Sequence, residues 1–154
     1  MTQFSEQPER MANPVCEVLL TEAMLRPPQL GADGSGAVLD FMGLVRPLEN
    51  GRQISGIEYE VHPEMASHQL EQIAREALAK FELGGVIIHH RTGFVKTGEA
   101  SVLVRTESRH RSASYRANEW IMNELKNRVP IWKRPRFVES EVIPAMAASS
   151  HSSR

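Results

Sequence analysis

One cysteine, Cys16, stands in 154 residues, so neither an internal disulfide nor a thiolate cluster for a metal is available. Such a residue has a plain reading as a small apolar side chain and a sharper one as a nucleophile. A chain with so little thiol that nonetheless handled sulfur would be expected to receive it from elsewhere. Aromatic residues are also sparse, at 6%, and no apolar run approaches the roughly 18 residues that span a bilayer. The longest, around Leu83 to Ile88, is strand-length. The first nine residues lack the basic-then-apolar layout of a signal peptide, so the expected location is cytoplasmic, with no membrane partner. Several chemical signatures are missing too. There is no His-Glu-x-x-His pair, no Gly-x-x-x-x-Gly-Lys loop and no Gly-x-Ser-x-Gly elbow. His89 and His90 are neighbours on a predicted strand, which points them to opposite faces and keeps them from sharing a metal. Neither a metal nor a cofactor bound by this chain is expected.

What is present fits one globular domain: 41% hydrophobic and 24% charged residues, in a length that supports a single modest core. The net charge of −1 hides an uneven distribution. From Arg105 to Arg136 nine Arg and Lys face three Glu, a balance of +6, leaving nine basic and sixteen acidic residues elsewhere, or −7. A concentrated basic stretch suggests one place for an anionic ligand, or a solvated helix face.

The pattern predicts strands at 16–20 and 37–45, a turn at Asn50-Gly51 and a strand at 54–61, which suggests a hairpin. His62-Pro63 opens a helix whose apolar face is Ala66, Leu70, Ile73, Ala74, Ala77, Leu78 and Phe81. Gly84-Gly85 ends it. Strands follow at 86–91 and 100–106, joined by a connection at 92–99. A second helix is predicted over 112–127 with Ser112 as N-cap. Its inward face would carry Ala117, Ile121, Met122 and Leu125, and Pro130 would force Val129 to be extended. Residues 131–143 read as an extended tail. This order predicts an α+β fold: a mainly antiparallel or mixed sheet with two principal helices. The domain is expected over 14–144, between a flexible N-terminus at 1–13 and a flexible tail at 145–154.

Candidate chemistry concentrates around the second helix. His110 and Arg111 precede its start, where unpaired backbone N–H groups and the positive end of the dipole favour an anion, and arginine adds a fork suited to phosphate. Solvated turn residues are the plain alternative. Lys126 falls in the helix's last turn, where a lysine is favourable for purely structural reasons. The Pro130 turn would let Lys133 swing back toward it, with Ile131 and Trp132 excluding water. Two ammonium groups held close in a partly dry pocket depress each other's pKa. One would then act as base or nucleophile while the other binds phosphate or an oxyanion. Arg46, at the end of the strand 37–45, joins this group only if it converges on the same pocket.

Taken together, these segments resemble the catalytic (large) subunit of molybdopterin synthase over roughly residues 36–134. The matching pieces are Gly36-Ala37-Val38 through Phe41, Gly43 and Val45-Arg46, then Tyr59 through His62-Pro63-Glu64-Met65, then His90-Arg91 with Gly93. The most specific are Ser108 to Ser114, with His110-Arg111-Ser112, and Leu125-Lys126 through Pro130 to Trp132-Lys133-Arg134. The resemblance implies an α/β hammerhead fold and a sulfurtransferase of molybdenum cofactor biosynthesis. Its substrate would be cyclic pyranopterin monophosphate (precursor Z), made into molybdopterin by building a dithiolene. Sulfur would come from a thiocarboxylate on the C-terminal Gly-Gly tail of a small ubiquitin-like partner. A homodimer of large subunits, with a small subunit at each end, would form a heterotetramer. The lone cysteine fits this division of labour.

By the same resemblance, Lys126 and Lys133 match the two catalytic lysines. Lys126 would be the acid/base group, or the residue transiently bonded to the partner's carboxyl carbon. Lys133 would position thiocarboxylate and pterin. His110 and Arg111 match the anion-binding pair, Leu44, Val45 and Arg46 the strand end lining the pterin pocket, and Arg134 with Pro135 the segment after the second lysine. Pro135 stands where the family commonly has Glu, and the tail is shorter than usual. The segment between Leu20 and Gly36 lacks the pattern of a helix found there in the family. These departures keep open a second reading, a non-catalytic relative that binds pterin or partner for assembly or regulation. A third, nucleic-acid binding through the basic helix, is disfavoured because Tyr115 and Trp120 stand apart rather than forming stacking platforms.

Overall fold

The structure, a computed structural model, describes residues 13–30 and 34–139. The expectations for residues 1–12 and 140–154, including the end of the expected domain and of the extended tail, lie outside the described residues.

Two sheets share the chain. The first has the order β1 (Val15–Thr21), β5 (Gly85–Arg91), β7 (Ala100–Ser108), β2 (Ala37–Leu44). β1 runs parallel to β5, and the other pairs are antiparallel. The second sheet joins β3 (Leu48–Glu49), β4 (Arg52–Val61) and β6 (Gly93–Lys96), with β8 (Ile131–Phe137) also pairing β4. Two 18-residue helices, α1 (Pro63–Lys80) and α2 (Arg111–Arg128), complete the α+β architecture. It is a mixed sheet core with two principal helices, consistent with a hammerhead-like fold.

The helices form where their periodicity predicts. In α1 the buried residues Ala66, Leu70, Ile73, Ala74 and Ala77 recur at helical spacing. His62 caps it: Nδ1 accepts a bond from the Met65 N–H at 3.3 Å, and Pro63 takes the first turn. In α2 the buried set is Ser114, Ala117, Asn118, Ile121 and Leu125, while Met122 is half-buried. Both helices pack on one face of the first sheet, against Val86, Ile88, Val102 and Val104. A smaller core of Val45, Ile54, Ile57, Tyr59 and Val95 sits in the second sheet, and Ile131 packs against both.

Four expectations are corrected. The hairpin between 37–45 and 54–61 does not form: β2 pairs with β7 along its length, and only the two residues of β3 turn through Asn50-Gly51 onto β4. Every residue of β7 is buried, so pairing there offers β2 the larger core, while a short β3 is enough to hold the turn. Asn50 and Gly51, at φ 50° and 76°, have the left-handed pair of a tight hairpin turn. The 92–99 connection contains β6, which leaves the first sheet at Gly93 (φ 76°) to pair with β4. The extended tail expected from Ile131 does not leave the fold but pairs with β4 as a strand over Ile131–Phe137. The α2 N-cap is His110, not Ser112, and its side chain makes no capping bond.

Candidate active site

The geometry of α2 decides which candidates can meet. Thr106 Oγ1 donates to the Ser114 carbonyl at 2.9 Å, and Asn118 Nδ2 donates to the Val104 carbonyl at 3.0 Å. Higher helix numbers thus lie over lower strand numbers, so α2 runs antiparallel to β7. Its C-terminal turn, carrying Lys126, lies over the end of the sheet where β7 begins. There β2 finishes, with Leu44 opposite Ala100, and so does β5, with His90 opposite Val102. Arg46 therefore emerges at the same end as Lys126.

β8 brings Lys133 to that end as well. After Val129, extended at φ −90° and ψ 126° before Pro130 as expected, the chain turns back along β4. Lys133 comes to lie directly opposite Tyr59. Opposed residues of an antiparallel pair share a face, and Tyr59 is a buried member of the core that holds Val45 and packs against Ile131. Val45 is pinned by two backbone bonds: its N–H donates to the Glu99 carbonyl at 3.0 Å, and its carbonyl accepts from the Gly98 N–H at 2.8 Å. Leu44 beside it is exposed. Strand alternation puts Arg134 on the other face of β8, where it pairs with Glu60 at 3.1 Å. Trp132 lies opposite Glu60 on that face and is 56% exposed, so within one chain it does not cover Lys133. Pro135, half-buried opposite Ile57, returns to the face of Lys133.

His110 and Arg111 go elsewhere. They start α2, fifteen residues before Lys126, and a rise of about 1.5 Å per residue puts roughly 22 Å of helix axis between them. Their corner is built by the buried hydroxyls of Ser108 and Ser114, 2.6 Å apart, with Ser108 Oγ donating to the His110 carbonyl at 2.6 Å. Gly36 is required beside it, because a Cβ there would collide with the Arg109 carbonyl. The first turn of α2 has no acidic residue, so the positive end of its dipole stays open to an anion.

The basic run is less uniform than its composition suggests. Arg105 is buried and donates two bonds of 2.7 Å to Asp40, plus one to the Gln29 carbonyl. Arg128 ties α2 to α1 through Glu76 at 2.6 Å, with Glu124 at 3.2 Å. Arg136 lies 3.8 Å from Glu58. Among the described residues, none of Arg46, His110, Arg111, Lys126 and Lys133 forms an ion pair. These five are exposed in the single chain.

Two buried groups at the Lys133 end did not stand out in the sequence. Tyr59 sets its ring against His90, with centroids 5.3 Å apart and planes at 72°. Burial pushes the Tyr59 phenol up, offset in part by a hydrogen bond with Ser101. His90 Nδ1 lies 2.7 Å from the Arg91 carbonyl. Burial holds the imidazole below its ordinary range against that hydrogen bond, and the charge of Lys133 adds to the depression. Cys16 is free on the edge strand β1, and burial pushes its thiol up, which disfavours the thiolate a nucleophile needs. No group of metal-ligating side chains occurs among the described residues, and no described helix is long and apolar enough to cross a membrane.

A family model described as MoaE protein matches residues 17–128. The chain belongs to the MoaE family, that of the molybdopterin synthase catalytic subunits. It is 37% identical over 112 residues to the molybdopterin synthase catalytic subunit of Pyrococcus abyssi, covering 73% of this chain and 76% of the relative. Among solved structures, it is similar to molybdopterin synthase from Staphylococcus aureus at 32% identity and a TM-score of 0.67, over 80% of this chain and 92% of that one. A complex of subunits 1 and 2 of the molybdopterin-converting factor from Helicobacter pylori shares the fold, with a TM-score of 0.62 at 18% identity over 80% and 91% of the two chains. The family match stops short of β8, so Lys133 is placed by the strand pairing described above.

Proposed function

We propose that this MoaE-family chain is a cytoplasmic sulfurtransferase that turns cyclic pyranopterin monophosphate into molybdopterin. Its sulfur would come from the C-terminal thiocarboxylate of a small ubiquitin-like partner with a Gly-Gly tail. The observation that carries the reading is the gathering of Arg46, Lys126 and Lys133 at one end of the first sheet, each without a carboxylate partner among the described residues. An anionic ring and an anionic peptide end both require such a surplus of positive charge. The Helicobacter pylori complex of two subunits supports a partner of this general kind.

In this reading Lys133 and Arg46 hold the phosphorylated pterin and the thiocarboxylate together, and Leu44 and Val45 line the pocket. The partner's sulfur attacks a side-chain carbon of the pterin, forming a C–S bond and a thioester as a C–O bond of that carbon breaks and its oxygen leaves as water or with the phosphate. Water or the Lys126 amine then opens the thioester, leaving sulfur on the pterin and the carboxyl carbon on oxygen or nitrogen. A second transfer completes the dithiolene. Arg134 and Pro135 flank Lys133 and fix β8 against β4. His110 and Arg111 stand too far along α2 to meet a small ligand held at Lys126 of the same chain. We therefore place them in the pocket of a second copy, within a homodimer that binds one partner at each end. This heterotetramer leaves every site incomplete in a single chain.

The test is a single-turnover reaction of the wild-type chain with authentic thiocarboxylated partner and cyclic pyranopterin monophosphate. Stoichiometric dithiolene supports the proposal. Tight binding of both ligands without product supports instead the non-catalytic relative that Pro135 first suggested.

A further inference from the structure

His90 is held far more firmly than strand packing alone requires. It is 4% exposed near the end of β5, and its ring is fixed from two directions. On the backbone side, Nδ1 is 2.7 Å from the Arg91 carbonyl. A carbonyl can only accept, so Nδ1 carries the proton, and the neutral imidazole is left with Nε2 as a lone-pair acceptor at its far edge. On the other side, Tyr59 packs against the ring at 5.3 Å. Tyr59 is also the residue opposed to Lys133 in the β4–β8 register, so the buried phenol stands between the strand that carries the amine and the strand that carries the imidazole. The titratable or charged groups around the ring are Tyr59 from β4 and Lys133 from β8, while Arg91 on its own strand offers the ring only its backbone carbonyl.

Neither the resemblance nor the proposed mechanism gives His90 a task. A core position there would be filled equally well by Leu or Phe, and burying an imidazole beside an ammonium costs free energy unless the ring serves the amine. We propose that His90 is a positioning residue for Lys133: its fixed imidazole offers an unprotonated Nε2 that confines the lysine amine to the pocket end of the sheet. The inference rests on the sulfurtransferase reading, in which Lys133 holds the thiocarboxylate and the pterin. A long, exposed lysine samples many rotamers, and an acceptor packed against its cross-strand neighbour Tyr59 narrows them before substrate arrives. His90 touches no substrate in this scheme and acts only through Lys133.

Two substitutions separate this role from packing. Asn places an N–H near the position of Nδ1 and so keeps the anchor to Arg91 while removing the distal acceptor. Gln places an acceptor near the position of Nε2. In the reconstituted heterotetramer, His90→Asn is expected to lower kcat about tenfold with KM for the pterin little changed, and His90→Gln to recover most of that loss. A second measurement needs no turnover. By 15N NMR of the free chain, His90 Nδ1 should be protonated and Nε2 bare at pH 7, and Lys133→Met should move the imidazole's protonation midpoint upward. Equal kcat in His90→Asn and wild type, equal losses in the Asn and Gln variants, or an imidazole indifferent to Lys133→Met would each overturn the inference. Failure of the underlying reading looks different: wild type forms no dithiolene, or Lys133→Ala turns over normally.

Discussion

Tyr59 and Lys133 oppose each other directly across the β4–β8 pair, so the lysine shares a face with a buried phenol while its neighbour Arg134 turns to Glu60 on the other side. One strand thus carries a basic pair with two destinations. Lys133→Ala should remove a group at the reacting centre. Arg134→Ala should remove an exposed ion pair worth about 0–1 kcal/mol and lower turnover by less than about tenfold. Comparing kcat of the two variants checks the assignment of faces, and equal losses would mean that β8 is seated differently in the assembled enzyme.

Asp40 and Arg105 make a second test, of the fold rather than the site. Arg105 is 2% exposed and donates two of its hydrogen bonds to this one carboxylate. Asp40→Asn leaves a buried guanidinium without its counter-charge and should destabilise the chain by about 3 kcal/mol, read from the urea midpoint. A change below about 0.5 kcal/mol would show that the surroundings of Arg105 relax to water.

His90 gives a signed dependence on pH. Its folded-state pKa lies below the ordinary value of 6.5, first because the ring is buried. Below that value the unfolded chain takes up a proton that the folded chain refuses, so stability falls as pH drops from 6.5 toward the folded pKa. Above 6.5 this contribution is constant. Urea unfolding at pH 7.5 and 5.5 should therefore show a larger acid loss in wild type than in His90→Gln. Parallel losses would mean that the imidazole titrates freely.

The separation of His110-Arg111 from Lys126 along α2 predicts complementation between copies. A chain carrying His110→Ala and Arg111→Ala, mixed with one carrying Lys126→Ala and Lys133→Ala, forms hybrid dimers with one intact composite site. Activity near about half that of wild type is expected in purified hybrids, while each parent is inactive. If each chain builds its site alone, the hybrids stay as inactive as the parents.

Much of this arrangement is legible in the sequence, for reasons specific to each element. The helix periods of α1 and α2 are set by local spacing, and Pro63 and Pro130 mark their ends. β6 is hidden because Gly93 and Gly98, needed for positive φ, make the segment read as a loop. β8 is hidden because two prolines and three basic residues within 130–136 look unlike a strand, although an edge position tolerates them. Pairing of β2 with β7 depends on which core is larger, a tertiary quantity that no local pattern encodes. The same limit applies to the site. Lys126 and Lys133 stand out by the resemblance and by their place around Pro130. The carboxylate partner of the buried Arg105, the Tyr59–His90 contact and the 22 Å or so of helix between the two basic clusters emerge only once the strands are in register.

The most direct measurement is dithiolene formation by the reconstituted synthase, comparing wild type with Lys126→Ala and Lys133→Ala at saturating thiocarboxylated partner. The two amines are assigned general acid–base and charge-holding work, so each variant should fall by about 100-fold or more while its circular dichroism and partner binding match wild type. Wild-type turnover in both variants would contradict the account.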